Sequence, residues 1–545
     1  MLARNLNRGD AETQRYFFTQ KGTKINRARG LSSQLYFSLC LCVLAVSLSC
    51  SSKPTDLRAI APADSLVYLE TNDLGAVLQP IIDSKAFNEA AKSKPDLSAV
   101  KGVQIAIAVT GFETREKEIS QENSELNFKP HFVAIADTHA WEWQARSFAE
   151  NQLGEFINKV YGGGVQLDVS SKSGGTSYVW TAEDGRKAYG VVSGSLIFFG
   201  NDESSIEKVQ AVRRGEAQSF GKSGKDLPNA TADTLIAGYV SQDGIAQISN
   251  FVGVSKAKES GEQAEVQGFV AQVLPQLLRG SIKDVTWVAK KTNEGIEDKL
   301  SVSLVPEVAS VLNETMAANE EADSSSLEFA PVDADAVTQY SLKNPQIAWR
   351  SILLLSQKAV DPNSGKLLVE FSKSFFEPYG VENGEAFLGA VAPGIVTVKY
   401  GEDDVAVVTK VTNAKDRKAS LDAESLKDEN ADIAISDAGF ENIALNGDKD
   451  IVQKCLQAHQ TGQNLRSDPQ IGNRMQKPPS AITIGNDHDT AALLAGVLSE
   501  KISDDVAPSS RYIIETRFNK NGFERRLVSD FGLVSSIIAL LSNEE

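Results

Sequence analysis

Residues 285–304 read VTWVAKKTNEGIEDKLSVSL, two runs of alternating apolar and polar residues on either side of an Asn/Gly turn. Alternation with a period of two is typical of strands, and a short polar turn between two such runs predicts a β-hairpin. Residues 512–531, YIIETRFNKNGFERRLVSDF, have the same pattern, so that Gly295 matches Gly522 and Leu300 matches Leu527. The two stretches therefore predict a fold dominated by antiparallel sheet.

A second pair of similar stretches precedes the two hairpins. Residues 194–212 and 440–458 each predict a strand, a tight polar turn and a helix that begins after an aspartate, Asp202 in the first and Asp448 in the second. The openings at Pro62 and Pro331 match more weakly, and strand-like runs follow each opening in the same order. Because these landmarks recur in one order, we interpret the chain as a diverged tandem duplication.

Hairpins mixed with helices, without strict alternation of strand and helix, predict an α+β protein. We expect two homologous halves, each a largely antiparallel sheet packed with helices. The N-terminal half covers residues 58–312, and the C-terminal half covers residues 329–545. Residues 313–328 are rich in Glu, Ala and Ser, a composition that predicts a linker.

The beginning of the chain predicts that the protein is exported from the cytoplasm. Seven basic residues precede the apolar run LYFSLCLCVLAVSLSC (residues 35–50), and no charged residue occurs between Arg29 and Lys53. A basic flank before a short apolar run is the pattern of a secretory signal peptide. Three interpretations stay open: cleavage of residues 1–49 before a lipidated Cys50, with residues 50–57 as a tether; an uncleaved membrane span; and ordinary cleavage with release. The first is our working hypothesis.

Residues 46–50, VSLSC, resemble a bacterial lipobox, although Ser47 stands where that motif prefers Leu. Together with a Pro-Ala-Asp-x-x-x-Tyr opening at Pro62 and the strand-turn-helix and hairpin units, residues 58–545 resemble poorly characterised bacterial envelope lipoproteins known only as a domain of unknown function. That resemblance implies no active site. Ser51 after Cys50 resembles the lipoproteins that Gram-negative cells send to the outer membrane, facing the periplasm or the cell surface.

Composition limits the classes of partner. The chain has 55 basic and 72 acidic residues and a formal net charge of −17. An acidic body repels phosphate backbones, so we expect no nucleic-acid partner. With Cys50 lipidated, Cys455 is the single remaining cysteine, and no internal disulfide can form. Cys455 shares a helical face with Ile451 and Val452, which predicts a buried, inert thiol.

No stretch has the spacing of a catalytic, metal-binding or cofactor-binding motif. The best candidate titratable residues are His139, next to Asp137, and His488, between Asp487 and Asp489; for both we favour an ordinary turn residue. Trp141 and Trp143 could form a platform for a protein or glycan partner if they are exposed. We favour a core position for at least one of these tryptophans.

These observations predict a non-catalytic binding or scaffold module of the bacterial cell envelope, with no cofactor and with its ligand left open. Its expected contacts are the membrane, through the lipid or an uncleaved span, and an envelope protein or glycan. The alternative is an envelope hydrolase that uses a pair of carboxylates in a cleft between the halves. Two carboxyl groups that converge with raised pKa values would favour the enzyme, and a groove lined by apolar and aromatic groups would favour binding.

Overall fold

The structure is a computed structural model that describes residues 55–91, 93–98, 100–120, 123–172, 174–258, 264–320, 323–401, 404–421, 433–437, 442–499 and 509–542. Its 18 strands form one sheet. In chain order these strands are β1 (Val67–Thr71), β2 (Gln104–Ser120), β3 (Asn123–Asp137), β4 (Gln166–Lys172), β5 (Gly175–Thr181), β6 (Lys187–Ser193), β7 (Leu196–Gly200), β8 (Thr234–Ser241), β9 (Ile282–Thr292), β10 (Gly295–Leu304), β11 (Ala336–Tyr340), β12 (Ile395–Tyr400), β13 (Asp404–Lys410), β14 (Ile433–Asp437), β15 (Ile443–Asp448), β16 (Ala481–Asp487), β17 (Ser510–Asn519) and β18 (Gly522–Ser529).

Helices cover both faces of this sheet. The α-helices are α1 (Leu74–Asp83), α2 (Lys85–Ala90), α3 (Glu142–Phe148), α4 (Gly154–Val160), α5 (Glu203–Arg213), α6 (Gln242–Lys258), α7 (Ala264–Ser281), α8 (Pro306–Thr315), α9 (Pro345–Ala359), α10 (Pro362–Ser374), α11 (Gly384–Gly389), α12 (Ala414–Ser420), α13 (Lys449–Thr461), α14 (Pro469–Met475), α15 (Thr490–Leu498) and α16 (Gly532–Ser542). The predicted α+β class with a large antiparallel sheet is confirmed. Within the described residues no helix is long and apolar enough to cross a membrane.

All neighbouring strands are antiparallel. From one edge of the sheet to the other, their order is β4-β5-β6-β7-β3-β2-β1-β8-β9-β10-β18-β17-β16-β11-β12-β13-β15-β14. The N-terminal half supplies the strands up to β10, and the C-terminal half supplies the rest. The two halves therefore join edge to edge, and no open cleft separates their sheets.

The two predicted hairpins form this junction. Thr292 pairs with Gly295 and Asn519 pairs with Gly522, so each hairpin has a loop of two residues. Both glycines have positive φ angles, 120° and 149°. A Cβ atom on Gly295 would lie 2.5 Å from the carbonyl oxygen of Ser529, and one on Gly522 would lie 2.0 Å from that of Val302. Glycine is thus required both by its backbone angle and by the close approach of the opposite hairpin.

Charged pairs cross the same β10–β18 junction. Lys299 pairs with Glu524 at 2.9 Å, and Arg526 pairs with Glu297. Lys299 and Arg526 are themselves directly opposite in the strand register, so each cation has a carboxylate of the facing strand beside it. The two acids offset the repulsion between the facing cations.

One face of the sheet carries two separate apolar clusters. In the N-terminal half this cluster includes Tyr68, Phe198 and Val209 of α5, and in the C-terminal half it includes Val398, Leu445 and Cys455 of α13. Asp202 and Asp448 cap the two helices by accepting backbone N–H groups of the first turn, which confirms both predicted helix starts. Cys455 is buried, as predicted, and burial raises its pKa to about 12.

On the opposite face each half uses a helix of the other. Helix α16 packs against β10 and contributes Leu533 and Ile538 to a core cluster that contains residues of both halves. Helix α8, from the N-terminal half, packs against β17 and β18. In the predicted linker, α8 extends to Thr315, and Leu327 and Phe329 belong to the C-terminal core. Residues 1–49 and Cys50 lie outside the described residues.

Candidate functional site

A cavity of about 340 Å³ lies in the C-terminal half between the sheet and its helical cover. Strands β11, β12 and β13 form its floor. Helix α9, the segment 375–379, helix α11 and Met316 form its cover. Most of the lining is apolar or aromatic; its aromatic members are Tyr340, Trp349, Phe375, Phe376, Tyr379 and Phe387.

The centre of the floor is lined by small side chains, while larger ones such as Ile395 and Val407 line it further along β12 and β13. Ala336, Thr338 and Tyr340 alternate along β11 and all line the cavity, because successive side chains of a strand point to opposite faces. Thr338 pairs with Thr397 of β12, and its hydroxyl lies 2.9 Å from that of Thr483 of β16. These short side chains rise little above the backbone, so the space above the strands is left open.

The cover begins with a well-defined helix start. Asn344 accepts the backbone N–H of Ile347 at 3.0 Å, and Pro345 occupies the first helical position of α9. One turn later Trp349 meets the rings of Phe375 and Phe376 edge to face, with centroid distances of 6.1 and 5.0 Å. This geometry is favourable for aromatic rings and fixes the wall of the cavity.

The wall of the cavity reaches the protein surface along α9. Ile352 lines the cavity and is 37% exposed. Its helix neighbours Ile347 and Leu354 are also large, apolar and exposed. The cavity therefore has a partly exposed apolar side chain in its wall at Ile352.

Arg525 of β18 lies on the same face of the sheet as the cavity floor. A row of paired residues runs from Arg525 through Thr516 and Ala481 to Tyr340, and directly paired residues share a face. In the described part of the chain the guanidinium of Arg525 makes no ion pair and no hydrogen bond. Burial lowers its pKa, while the neighbouring Tyr512 and Tyr340 act in the opposite direction.

The structure places the two predicted tryptophans on the surface. Trp141 is 71% exposed and Trp143 is 68% exposed, so the expected core position for one of them was wrong. Trp141 has extended backbone as the N-cap of α3, before the helix begins. The buried side of α3 consists of Ala145 and Phe148, and Trp143 lies two positions before Ala145, on the opposite side of the helix.

The two candidate histidines lie in turns, as predicted. His139 follows β3 with a positive φ of 51°, and its Nδ1 is 3.5 Å from Oδ1 of Asp137. His488 lies between β16 and α15, with its Nε2 3.6 Å from Oδ1 of Asp335, the residue before the cavity-lining Ala336. His139 and the two tryptophans lie at the start of α3 in the N-terminal half, whereas His488 belongs to the C-terminal half. Within the residues described, no cluster of His, Cys, Asp or Glu is suited to a metal ion.

Two carboxyl groups of the described residues have raised pKa values, and each is bonded to the start of a helix. Burial raises the pKa of Asp298 to about 6, and its oxygens accept Nε1–H of Trp287 at 2.7 Å and N–H of Leu533 in α16 at 2.8 Å. Burial also raises the pKa of Asp487, which accepts the N–H groups of Asp489 and Thr490 before α15. Both carboxyl groups therefore have structural partners.

Sequence reasoning missed the cavity and Arg525. One signal was available: in a chain with only 7% aromatic residues, SFFEPYG (residues 374–380) contains three aromatic residues within five positions. The convergence of Phe375, Phe376 and Trp349 could not be read locally, because Trp349 is more than twenty positions away. Comparisons of the chain with protein-family models, curated proteins and solved structures found no match.

Proposed function

We propose that this protein is a non-catalytic binding module of the bacterial cell envelope and that the cavity of the C-terminal half holds its ligand. The observation that carries the proposal is an apolar, aromatic-lined cavity of about 340 Å³ with a wall that reaches the surface at Ile352. Small-molecule sites are concave, mostly apolar and of roughly 300–1,000 Å³. The size therefore suits a small apolar ligand.

We further propose that the two halves are homologous products of a duplication. The strand order supports this: outward from the junction, β10-β9-β8-β1-β2-β3-β7-β6 corresponds to β18-β17-β16-β11-β12-β13-β15-β14. Gly295 and Gly522, which meet the opposite hairpin in the same way, also support it. One half then holds the ligand while the other serves as its scaffold.

The alternative of a hydrolase has less support. The carboxyl groups with raised pKa values among the described residues, Asp298 and Asp487, are each occupied by N–H donors at a helix start. A carboxyl group held in this way is not free to transfer protons to a substrate. The joined sheets also lack the cleft that the hydrolase would need.

Binding of dodecanol, a neutral apolar probe, tests the cavity. The full chain carrying Cys50→Ala, which removes any lipid at that position, is titrated while tryptophan fluorescence is recorded. Trp349 lines the cavity, so we expect a shift in its emission that Trp349→Phe abolishes. Thr397→Phe would fill the floor of the cavity and should weaken binding about tenfold or more, because the ligand loses several buried methylenes.

The matched control is Ile107→Phe. Ile107 pairs with Leu69 of β1 as Thr397 pairs with Thr338 of β11, so the two positions are equivalent in the strand register. This variant should bind dodecanol like the parent protein. Absence of saturable binding, or equal weakening by both substitutions, would reject the cavity as the ligand site.

The proposed anchor and surface partner have separate tests. Intact mass of the mature protein should show lipid on Cys50 and loss of residues 1–49, and Cys50→Ala should remove the lipid; retention of residues 1–49 would reject cleavage. For an envelope protein or glycan partner, Trp141 and Trp143 are the proposed contacts because both rings are exposed. Their double substitution by alanine should reduce capture of cross-linked envelope material without lowering the thermal midpoint.

A further inference from the structure

Arg525 indicates the chemical class of the ligand. We propose that the cavity binds an amphipathic molecule whose apolar chain occupies the cavity and whose single anionic head, a carboxylate or a phosphate, is bound by Arg525. This inference rests on the proposed function of the cavity. It adds a headgroup site that the apolar lining alone does not define.

The strand register places Arg525 within reach of one end of the cavity. Two strands, β17 and β16, separate it from Tyr340, so the backbone distance is about 14 Å at the usual strand spacing. The intervening residues of the row, Thr516 and Ala481, have short side chains that do not stand between the arginine side chain and Tyr340. Tyr340 lines the cavity, so the head and tail sites meet there.

The neighbouring row is covered by a tyrosine ring. Tyr512 pairs with Gly485, which pairs with the cavity-lining Ala336. A Cβ atom on Gly485 would lie 2.3 Å from both Cζ and Oη of Tyr512, so the tyrosine ring lies directly over this glycine and extends toward the cavity. Tyr512 and Tyr340 therefore border the space between Arg525 and the cavity.

The charge of Arg525 is unusual for its surroundings. Its neighbour Arg526 pairs with Glu297, and Arg474 pairs with Glu294 and Glu515. Arg525 has no carboxylate within ion-pair distance among the described residues, although it is partly buried. Arginine stays charged in proteins, and burying an unpaired charge is costly. An anionic ligand would satisfy this guanidinium, and its planar shape suits a carboxylate or a phosphate.

In the N-terminal half, the residue that corresponds to Arg525 is hydrogen-bonded within the protein. Asp298 follows Gly295 at the same interval as Arg525 follows Gly522. Its carboxylate accepts N–H groups of Trp287 and Leu533. Eleven residues after each hairpin glycine stand Leu533 in the C-terminal half and Pro306 in the N-terminal half, and Pro306 has no N–H to donate. The buried acid therefore has hydrogen-bond donors, whereas none of the described residues forms an ion pair or a hydrogen bond with the arginine side chain.

Three probes with the same chain separate the tail from the head: dodecanoate, dodecyl phosphate and dodecanol. In the full chain with Cys50→Ala at pH 8, we expect the preferred anion to bind about tenfold more tightly than dodecanol, since a hydrogen bond to a charged group is worth about that factor. Arg525→Leu should reduce the affinity for the anion to that for dodecanol and should change dodecanol binding by less than about twofold. The tighter anion identifies the head as carboxylate or phosphate.

Lys520→Gln is the matched control because it removes one positive charge from an exposed position of the same hairpin. It should leave the affinities for all three probes unchanged. Lys399→Gln tests the other cation of the cavity lining, and a loss of anion affinity there but not with Arg525→Leu would overturn the assignment. Because Arg525→Leu removes an unpaired charge, its thermal midpoint should equal or exceed that of the parent.

The outcomes separate this inference from the proposed function. Equal affinity for dodecanol and both anions, or equal weakening of all three by Arg525→Leu, overturns the headgroup site while dodecanol binding still supports the cavity. Failure of every probe to bind rejects the cavity itself. If Arg525→Leu does not fold, Arg525→Lys keeps the charge but loses the bidentate geometry. It should then weaken anion binding about threefold and leave dodecanol binding unchanged. If anion binding is not selectively weakened, the inference is overturned.

Discussion

The same face of one sheet is built differently in the two halves. In the N-terminal half, aromatic rings fill the space above the strands: Trp180 lies 6.3 Å from Phe199 and 5.7 Å from Tyr178 between ring centroids. In the C-terminal half, the space above β11, β12 and β13 is a cavity. The packed core continues across the β10–β18 junction to Leu527 and Ile514, and the cavity begins only above β11, β12 and β13.

The difference can be located at equivalent positions of the two central strands. In β1, Leu69 lies between Ile107 and Gly238, whereas in β11 Thr338 lies between Thr397 and Thr483. Thr338 and Thr397 fill less volume than Leu69 and Ile107, whereas Thr483 is larger than Gly238. A cavity of this kind costs stability because its lining loses dispersion contacts. The comparison teaches that two shorter side chains at the centre of the floor, Thr338 and Thr397, accompany an open space above the strands.

The largest expected effect is a difference in unfolding free energy between two tryptophan substitutions, one in each half. Trp287→Ala should lower the free energy of unfolding by about 3–5 kcal/mol, because Trp287 is buried and its loss also leaves Asp298 without the indole donor. Trp349→Ala should cost only about 1–2 kcal/mol, since that ring borders a cavity and is half-buried. Urea unfolding measures both, and equal costs would contradict the looser packing of the C-terminal half.

The stability of the protein should depend on pH because of the buried carboxyl group of Asp298. The folded-state pKa of Asp298 is about 6 and its ordinary value is 3.8, so between these values the folded protein binds a proton that the unfolded chain has released. Stability should therefore fall as pH rises from about 4 to 6, by up to about 3 kcal/mol for this group. Asp298→Asn removes this contribution.

The measurement is the difference in unfolding free energy between parent and variant across that pH range. Glu297→Gln, the adjacent residue on the other face, serves as the control; Glu297 contributes the smallest part of the raised pKa of Asp298, so most of the slope should remain. A difference that stays constant from pH 4 to 7 would mean that the Asp298 carboxyl does not titrate with a raised pKa.

Adding volume should have opposite consequences on the two sides. Ala289→Leu, in the packed core, should cost about 1–3 kcal/mol because the added methylenes force neighbouring side chains to move. Ala336→Leu, on the cavity floor, should be neutral or stabilise by up to about 1 kcal/mol. Thermal unfolding of both variants compares them, and a similar loss in each would show that the cavity cannot accept a larger side chain.

The smallest effect concerns the two ion pairs at the junction. Lys299–Glu524 and Arg526–Glu297 occupy equivalent positions and are partly exposed, so a double-mutant cycle should give each a coupling of about 0.2–1 kcal/mol. Salt should weaken both couplings in parallel. Couplings that differ by more than about 1 kcal/mol would break the equivalence of the two sides.

Local patterns in the sequence predicted local structure well. The hairpins at Gly295 and Gly522, the caps at Asp202 and Asp448 and the buried Cys455 were all confirmed, since each depends on residues within a few positions of one another. That the two hairpins pair with each other could not be predicted. Strand partners are chosen by distant contacts, and a polar, alternating edge offers no unique signal for one neighbour.

The candidate site was beyond local reasoning for a similar reason. Its lining extends from Met316 to Val407 and depends on which strands become neighbours. Arg525 gave no signal because a lone arginine in a strand usually faces solvent. The prediction of a core position for Trp141 or Trp143 was wrong for the opposite reason. Large rings are usually buried, but Trp141 precedes the first turn of α3 and Trp143 lies opposite the buried side of that helix.

The position of β18 in the middle of the sheet has a consequence for the order in which the chain can fold. Synthesis proceeds from the N-terminus, yet the strand that covers the edge of β10, and the helix that supplies Leu533 and Ile538 to the core, are made after the whole N-terminal half. Until then the earlier part of the chain has an uncovered strand edge, the feature that promotes misassembly between copies. A fragment that stops before β18 is therefore expected to associate with other copies instead of forming a smaller folded domain.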